Sequence, residues 1–230
     1  MGLGSSFGIT SETNNNIQTD GLVGYWDAAY KKSYPRSGTT WTDLAGSNNA
    51  TLTNGPVHNA DGYMTFDGTN DHAPVANIDP SDFQSAFTFN CWVRFHAISG
   101  NNIIFGRHVG GGERMYMGIN GTDVKIGIGD AFTASGNAHG MSADRWYNVC
   151  VTREGTSNLY FVDLVQKAST TTNWSGTNTA PLYIGSMNKI DGTDDQHTDG
   201  DIALVMLYNR TLTLSERTQN YNAQKQRFGY

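Results

Sequence analysis

Hydrophobic positions along this chain fall in short runs that alternate with polar positions, and Gly, Asn, Asp and Ser divide the runs. A period of two bounded by turn residues predicts β-strands. FTFNCWVRF (87–95) is the clearest case: Phe87, Phe89, Cys91, Val93 and Phe95 share one face, and Trp92 lies on the other with Asn90 and Arg94. LVGYW (22–26) is a short apolar strand, and YMTFD (63–67) alternates and ends at the turn Asp67-Gly68. IIFGR (103–107), RMYMGIN (114–120) and VKIGIG (124–129) follow, with Gly and Asn turns between them. WYNVCVTRE (146–154) and LYFVD (159–163) read as a hairpin around Gly155-Thr156-Ser157-Asn158, and PLYIGS (181–186) and DIALVMLYNR (201–210) close the series. STTTNWSGTNT (169–179) is a loop, because strand signals resume after it. Strands spaced by roughly 8–12 residues, with no long helical period between them, predict a sandwich or barrel.

One helix is predicted, at the C-terminus. Thr213-x-x-Glu216 has the form of a capping box, and LSERTQNYNAQKQ places Leu214, Arg217, Tyr221 and Gln224 on one side. Residues 1–20 are polar and read as an N-terminal arm. The domain then runs over 21–212, with the helix and tail, 213–230, packed on or beside it.

Composition narrows the classes. The chain has 230 residues, which suits one large all-β domain. A formal net charge of −6 and the absence of a Lys/Arg cluster argue against a nucleic-acid partner. No run approaches 18 apolar residues, so no membrane span is expected. The N-terminus shows no positive n-region or apolar h-region, which predicts synthesis in the host cytoplasm without a signal peptide. Cys91 and Cys150 each sit inside an apolar run and read as buried free thiols.

Eight segments, in order, carry a resemblance to a known family: GLVGYWDA (21–28), WTDLAGSNNATLTNGP (41–56), MTFDGTNDH (64–72), FTFNCWVRF (87–95), DRWYNVCVTRE (144–154), LYFVD (159–163), PLYIG (181–185) and DGDIALVMLYNRTLTLSER (199–217). The chain resembles the laminin-G-like, concanavalin A-like jelly-roll domains. The family has YVDG where this chain reads FVDL. The resemblance implies an all-β, two-sheet antiparallel jelly-roll sandwich with one short C-terminal helix. DAAYKKSYPRSGTTWTDLAG and the tail QNYNAQKQRFGY are similar in style to the versions found in tailed-phage virion proteins.

Chemical candidates are few. Glycosidases need two carboxylates across the scissile bond, and the four glutamates, Glu12, Glu113, Glu154 and Glu216, are far apart in sequence. There is no HExxH, P-loop or CxxC pair. The six histidines are scattered, mostly beside turns, and read as solvated. Trp41 and Trp174 lie in polar stretches and are the candidates for stacking on a glycan. DGTDDQHTDGDI (191–202) is rich in aspartate, but its register fails the EF-hand pattern. The resemblance implies a structural calcium where Asp201, opening the last strand, approaches the turn of Asp67 with Asp71 close by. The alternative is that Asp67 and Asp201 cap turns by accepting backbone amides. No other cofactor is expected.

These readings point to a non-enzymatic virion structural protein, a phage capsid decoration or appendage subunit. Its partners would be virion proteins and further copies of itself, in a homo-oligomer. Arm 1–20 and then tail Gln219–Tyr230 are the candidate contact surfaces, so that deleting the arm would spare the fold and abolish particle binding. A carbohydrate-binding, lectin-like module, for example on a tail fibre, is the alternative. A β-glycosidase is the third.

Overall fold

A computed structural model describes residues 16–75, 78, 80–109, 113–129, 131–132, 137–174, 180–189 and 194–230. The chain opens with β1 (Leu22–Asp27), β2 (Thr40–Trp41), β3 (Ala50–Thr51), β4 (Val57–Asn59), β5 (Tyr63–Asp67) and β6 (Ala73–Val75). Longer strands follow: β7 (Ala86–Phe95), β8 (Asn101–Val109), β9 (Glu113–Asn120), β10 (Asp123–Gly129), β11 (Ala131–Phe132), β12 (Trp146–Glu154), β13 (Ser157–Val162) and β14 (Val165–Thr171). The series ends with β15 (Leu182–Ile184), β16 (Met187–Lys189), β17 (Asp194–Asp195), β18 (Asp199–Tyr208) and helix α1 (Leu214–Gln224). The predicted strands are all present. β14 extends three residues into the stretch read as a loop, to Thr171. No helix among the described residues is long and apolar enough to cross a membrane.

The strands form two antiparallel-rich sheets. The first runs β14-β13-β12-β7-β18-β5-β4, with β1 on the later half of β18. The second runs β11-β10-β9-β8-β15-β6-β3-β2. This is the expected two-sheet sandwich with a short C-terminal helix. Its core is where the alternating apolar faces meet: Phe87, Phe89, Cys91, Val93 and Phe95 of β7 pack with Phe105, Met115 and Met117 of the second sheet in one buried cluster. Phe89 stacks on Phe105 at 4.8 Å between ring centres. Cys91 and Cys150 are buried free thiols, and burial pushes the Cys150 thiol up to about 12.

Loop chemistry explains several of the motifs. The Asp43 carboxylate of WTDLAG collects the backbone amides of Tyr25, Ala45 and Asn48, which ties that loop to β1. The β12–β13 hairpin is tighter than its sequence suggested, with Glu154 paired to Ser157 across Gly155 and Thr156.

The outer face of the first sheet is also covered. Trp92, on the outward side of β7, is fully buried. Phe228 stacks on it at 4.3 Å and Tyr221 of α1 at 5.4 Å. Thr213 and Glu216 form the predicted capping box. Glu216 also binds Arg210 (2.7 Å) and the Gln18 amide (2.9 Å). The Gln18 backbone amide donates to Asn220 (2.7 Å), so the segment around Gln18 lies beside α1 on this face. Arg227 clamps the tail by donating to Asp27 and to the Gly62 carbonyl. The tail read as a surface for a neighbouring chain is therefore folded on its own domain, drawn there by the aromatic side chains it buries. Residues 16–20 of the arm are likewise fastened to α1, and residues 1–15 lie outside the described set.

Candidate functional site: a transverse row on the first sheet

The outward face of the first sheet is not wholly covered. Beyond the tail, cross-strand pairing sets four side chains in one row: Trp146 opposite Arg94, Arg94 opposite Asp201, and Asp201 opposite Thr65. They come from β12, β7, β18 and β5, and each is an outward position of its strand. Side chains directly opposite on one face stand about 4.5–5.5 Å apart, close enough to act together.

Asp201 is the centre of the row. Its carboxylate is 1 % exposed, and such a charge is retained only with partners. Arg94 reaches Oδ2 with Nε and Nη2, each at 2.7 Å, and His96 Nε2 reaches the same oxygen at 2.9 Å. The Thr65 hydroxyl donates to Oδ1 at 2.6 Å. His96 Nδ1 also lies 3.3 Å from Asp199 Oδ1, at the solvent edge. The carboxylate beside Arg94 outweighs partial burial and raises the guanidinium pKa further. That guanidinium lies against a pair of aromatics, with the Tyr63 ring centre 5.0 Å away and the Trp146 ring centre 5.1 Å away. The two rings meet edge to face at 5.4 Å, and both are only partly buried. Phe228 of the tail packs against Trp146 at 4.9 Å and walls the patch on one side. The result is a rigid surface of amphipathic rings edged by hydroxyl, imidazole, guanidinium and carboxylate groups.

The residues proposed from sequence lie elsewhere or act differently. Trp41 is fully buried in the main core. Trp174 is 7 % exposed and packs edge-on against Phe87 at 6.5 Å. Neither ring offers a face to a sugar, because each is buried in the main core. Asp67 accepts the amides of Thr69 and Asn70, and these bonds lower its pKa. Asp71 accepts the Asp67 amide, while burial and the neighbouring Asp67 charge raise its pKa. Of the two residues in the capping reading, Asp67 accepts backbone amides in its turn, with Asp71 closing it, whereas Asp201 faces the Arg94, His96 and Thr65 side chains. Calcium needs six to eight oxygens. Asp201 is instead surrounded by a guanidinium, an imidazole and a hydroxyl, so the residues present do not fit the ion. Among the described residues no group of three His, Cys, Asp or Glu is placed to hold a metal. Asp191 and neighbouring residues to 193 lie outside the described set.

Sequence reasoning missed Tyr63, Arg94, His96 and Trp146. Arg94 and Trp146 were visible as strand positions, but period two alone does not say which outward residues are neighbours. The inter-strand registers supply that.

Comparison with known proteins identifies the architecture. A laminin-G-type family model, described as the concanavalin A-like lectin/glucanases superfamily, matches residues 67–216. Among solved structures, the chain is similar to a Trypanosoma rangeli sialidase in complex with sialic acid, at 18% identity and a TM-score of 0.66. That match covers 93% of this chain and 35% of the sialidase, so the chain spans about a third of its length. It is similar to the botulinum neurotoxin serotype D binding domain, at 10% identity and a TM-score of 0.63, covering 90% of this chain and 52% of that one. It is also similar to domain 4 of a GH43 extracellular arabinanase from Geobacillus stearothermophilus in complex with arabinotriose. There the identity is 16%, the TM-score 0.62, and the coverage 88% of this chain and 98% of that domain. No curated protein matches the chain. At these identities the likeness is one of fold. The expectation of a non-enzyme is nevertheless corrected: sialidases and an arabinanase carry this sandwich, so scattered glutamates do not set the chain apart from enzymes.

Proposed function

Because this chain belongs to the concanavalin A-like lectin/glucanase superfamily, we propose that it binds carbohydrate through the transverse row on its first sheet. One observation carries the reading: the partly exposed rings of Tyr63 and Trp146 flank an Arg94 guanidinium that a buried carboxylate holds in place. A sugar ring presents an apolar C–H face and a rim of hydroxyls. The aromatic rings would take the face, and Thr65, His96, Arg94 and Asp199 would take the hydroxyls. The site is built on four strands, so its geometry is set before a ligand arrives, and little ordering entropy opposes binding. The arabinanase domain bound to arabinotriose supports the reading by analogy of fold. The expected virion role rests on sequence style alone. A glycan-binding module on a viral appendage would satisfy both readings.

A glycan array with the intact protein tests the proposal, followed by calorimetry of the strongest binder with Trp146→Ala. Loss of a stacking ring should weaken binding at least tenfold while the protein stays folded by circular dichroism. An array without any carbohydrate binder, or a Trp146→Ala protein with unchanged affinity, overturns it.

A further inference from the structure

The charges around the row say which carbohydrates it takes. We infer that this site selects neutral oligosaccharides and disfavours those bearing a carboxylate, such as sialylated or uronate-substituted glycans. The inference rests on the carbohydrate-binding reading of the same site and goes on to the class of ligand.

Arg94 brings a positive charge to the patch, but that charge is matched inside the protein. Two of its nitrogens lie 2.7 Å from the buried Asp201 Oδ2, and the guanidinium rests against the rings of Tyr63 and Trp146. An incoming carboxylate would have to compete with a carboxylate already in contact. The acids at the rim have no such internal match. Asp199 stands with its side chain 41 % exposed, against His96. Asp67, directly opposite Asp199 in register, is exposed and accepts three backbone amides that hold it ionised. Asp144 is exposed where its amide bonds the Phe95 carbonyl, one residue from His96. Arg145, the next cation along the chain, is exposed, with its guanidinium over the rings of Tyr147 and Tyr230, at 5.3 Å and 5.5 Å. Arg227, which donates to the Gly62 carbonyl beside Tyr63, is matched by the buried Asp27 carboxylate at 2.9 Å. Leaving histidine out of the count, the Arg94–Asp201 and Arg227–Asp27 pairs cancel, and three exposed carboxylates stand against the one exposed guanidinium of Arg145. Hydroxyl donors of a neutral sugar suit these acceptors, and a second negative charge does not. Each like charge about 6 Å away across water-exposed surface costs close to threefold in affinity at low salt.

The test compares matched probes by calorimetry at low salt: lactose with sialyllactose, and xylotriose with its glucuronate-substituted form. The expected result is a preference for each neutral probe over its acidic partner, of about tenfold. Asp199→Asn should cut that preference about threefold, and so should adding 0.5 M salt to the native protein. Asp144→Asn is a second, independent variant, because Asn accepts the left-handed backbone there (φ 57°) and should act in the same direction. Equal or tighter binding of the acidic probes by the native protein overturns the inference while leaving carbohydrate binding intact. A preference that neither the variants nor salt diminish also overturns it. If neither probe pair nor any array glycan binds, the carbohydrate reading itself fails.

Discussion

Leu164 is where this chain departs from its family's usual turn. It closes the β13–β14 hairpin with Asp163, and both residues have positive φ, 47° and 68°. Paired left-handed residues are the type I′ geometry that suits a two-residue hairpin. Asp tolerates that region, and here its carboxylate accepts the Asn148 amide and the Tyr230 hydroxyl. A leucine gains nothing there and bears a Cβ clash. Leu164→Gly should therefore stabilise the protein by roughly 0.5–1 kcal/mol, after allowing for glycine's greater freedom in the unfolded chain. Urea denaturation monitored by fluorescence checks this, and a lower midpoint would refute it. The strained position was legible as the Leu of FVDL. That the fold accepts the strain, rather than reshaping the turn, is decided by the strands on either side.

At the scale of elements, the C-terminal helix is the part whose start was plainest in the sequence. The Thr213–Glu216 box is present as read. The sequence did not announce that Glu216 also binds Arg210, which lies at the end of β18, and Gln18, near the N-terminus. Arg210 first, and then the amide and hydroxyl of Thr213, hold the Glu216 carboxyl down to about 2, from an ordinary value of 4.5. The folded value lies below the unfolded one. The stabilisation is then complete above the unfolded value and is lost as pH falls through the folded one. The thermal midpoint of the native protein should drop between about pH 4.5 and pH 2, and Glu216→Gln should flatten that part of the profile while lowering the midpoint at pH 7. Parallel profiles for the two proteins would show that the network does not couple the helix to the sheet. The histidines read as solvated fare differently by element: His96 directly follows β7 and lies against two aspartates, and that role follows from the strand beside it.

Across the whole molecule, the sandwich is closed by its own termini. β1 pairs with β18, bringing Leu22 opposite Tyr208 and Tyr25 opposite Met206. The central β18 of the first sheet thus cannot find all its neighbours until almost the entire chain is made. Non-local strand pairing of this kind folds in milliseconds to seconds, because loop closure must precede the contacts that reward it. Stopped-flow refolding should show a main phase slower than about 1 ms, and a microsecond phase carrying the full native signal would contradict the topology.

Taken by itself, the sequence determined ten of the strands, their inward faces, the capped C-terminal helix and the buried thiols. Each follows from local periodicity or from a short-range bond, and neither needs a distant residue. It did not determine the site. Trp41 and Trp174 read as exposed because their neighbours in sequence are polar, and they are buried in the main core with residues of both sheets. Asp201 stood out as an acid at the start of a strand, and only the registers of β5, β7, β12 and β18 gave it Thr65 and Arg94 as neighbours, with Trp146 beyond Arg94. A slip of one residue in any of these ladders would turn that strand's contribution to the opposite face. The tertiary structure decided the row because cross-strand adjacency depends on chain closure and packing, which leave no local mark on the alternation of polar and apolar residues.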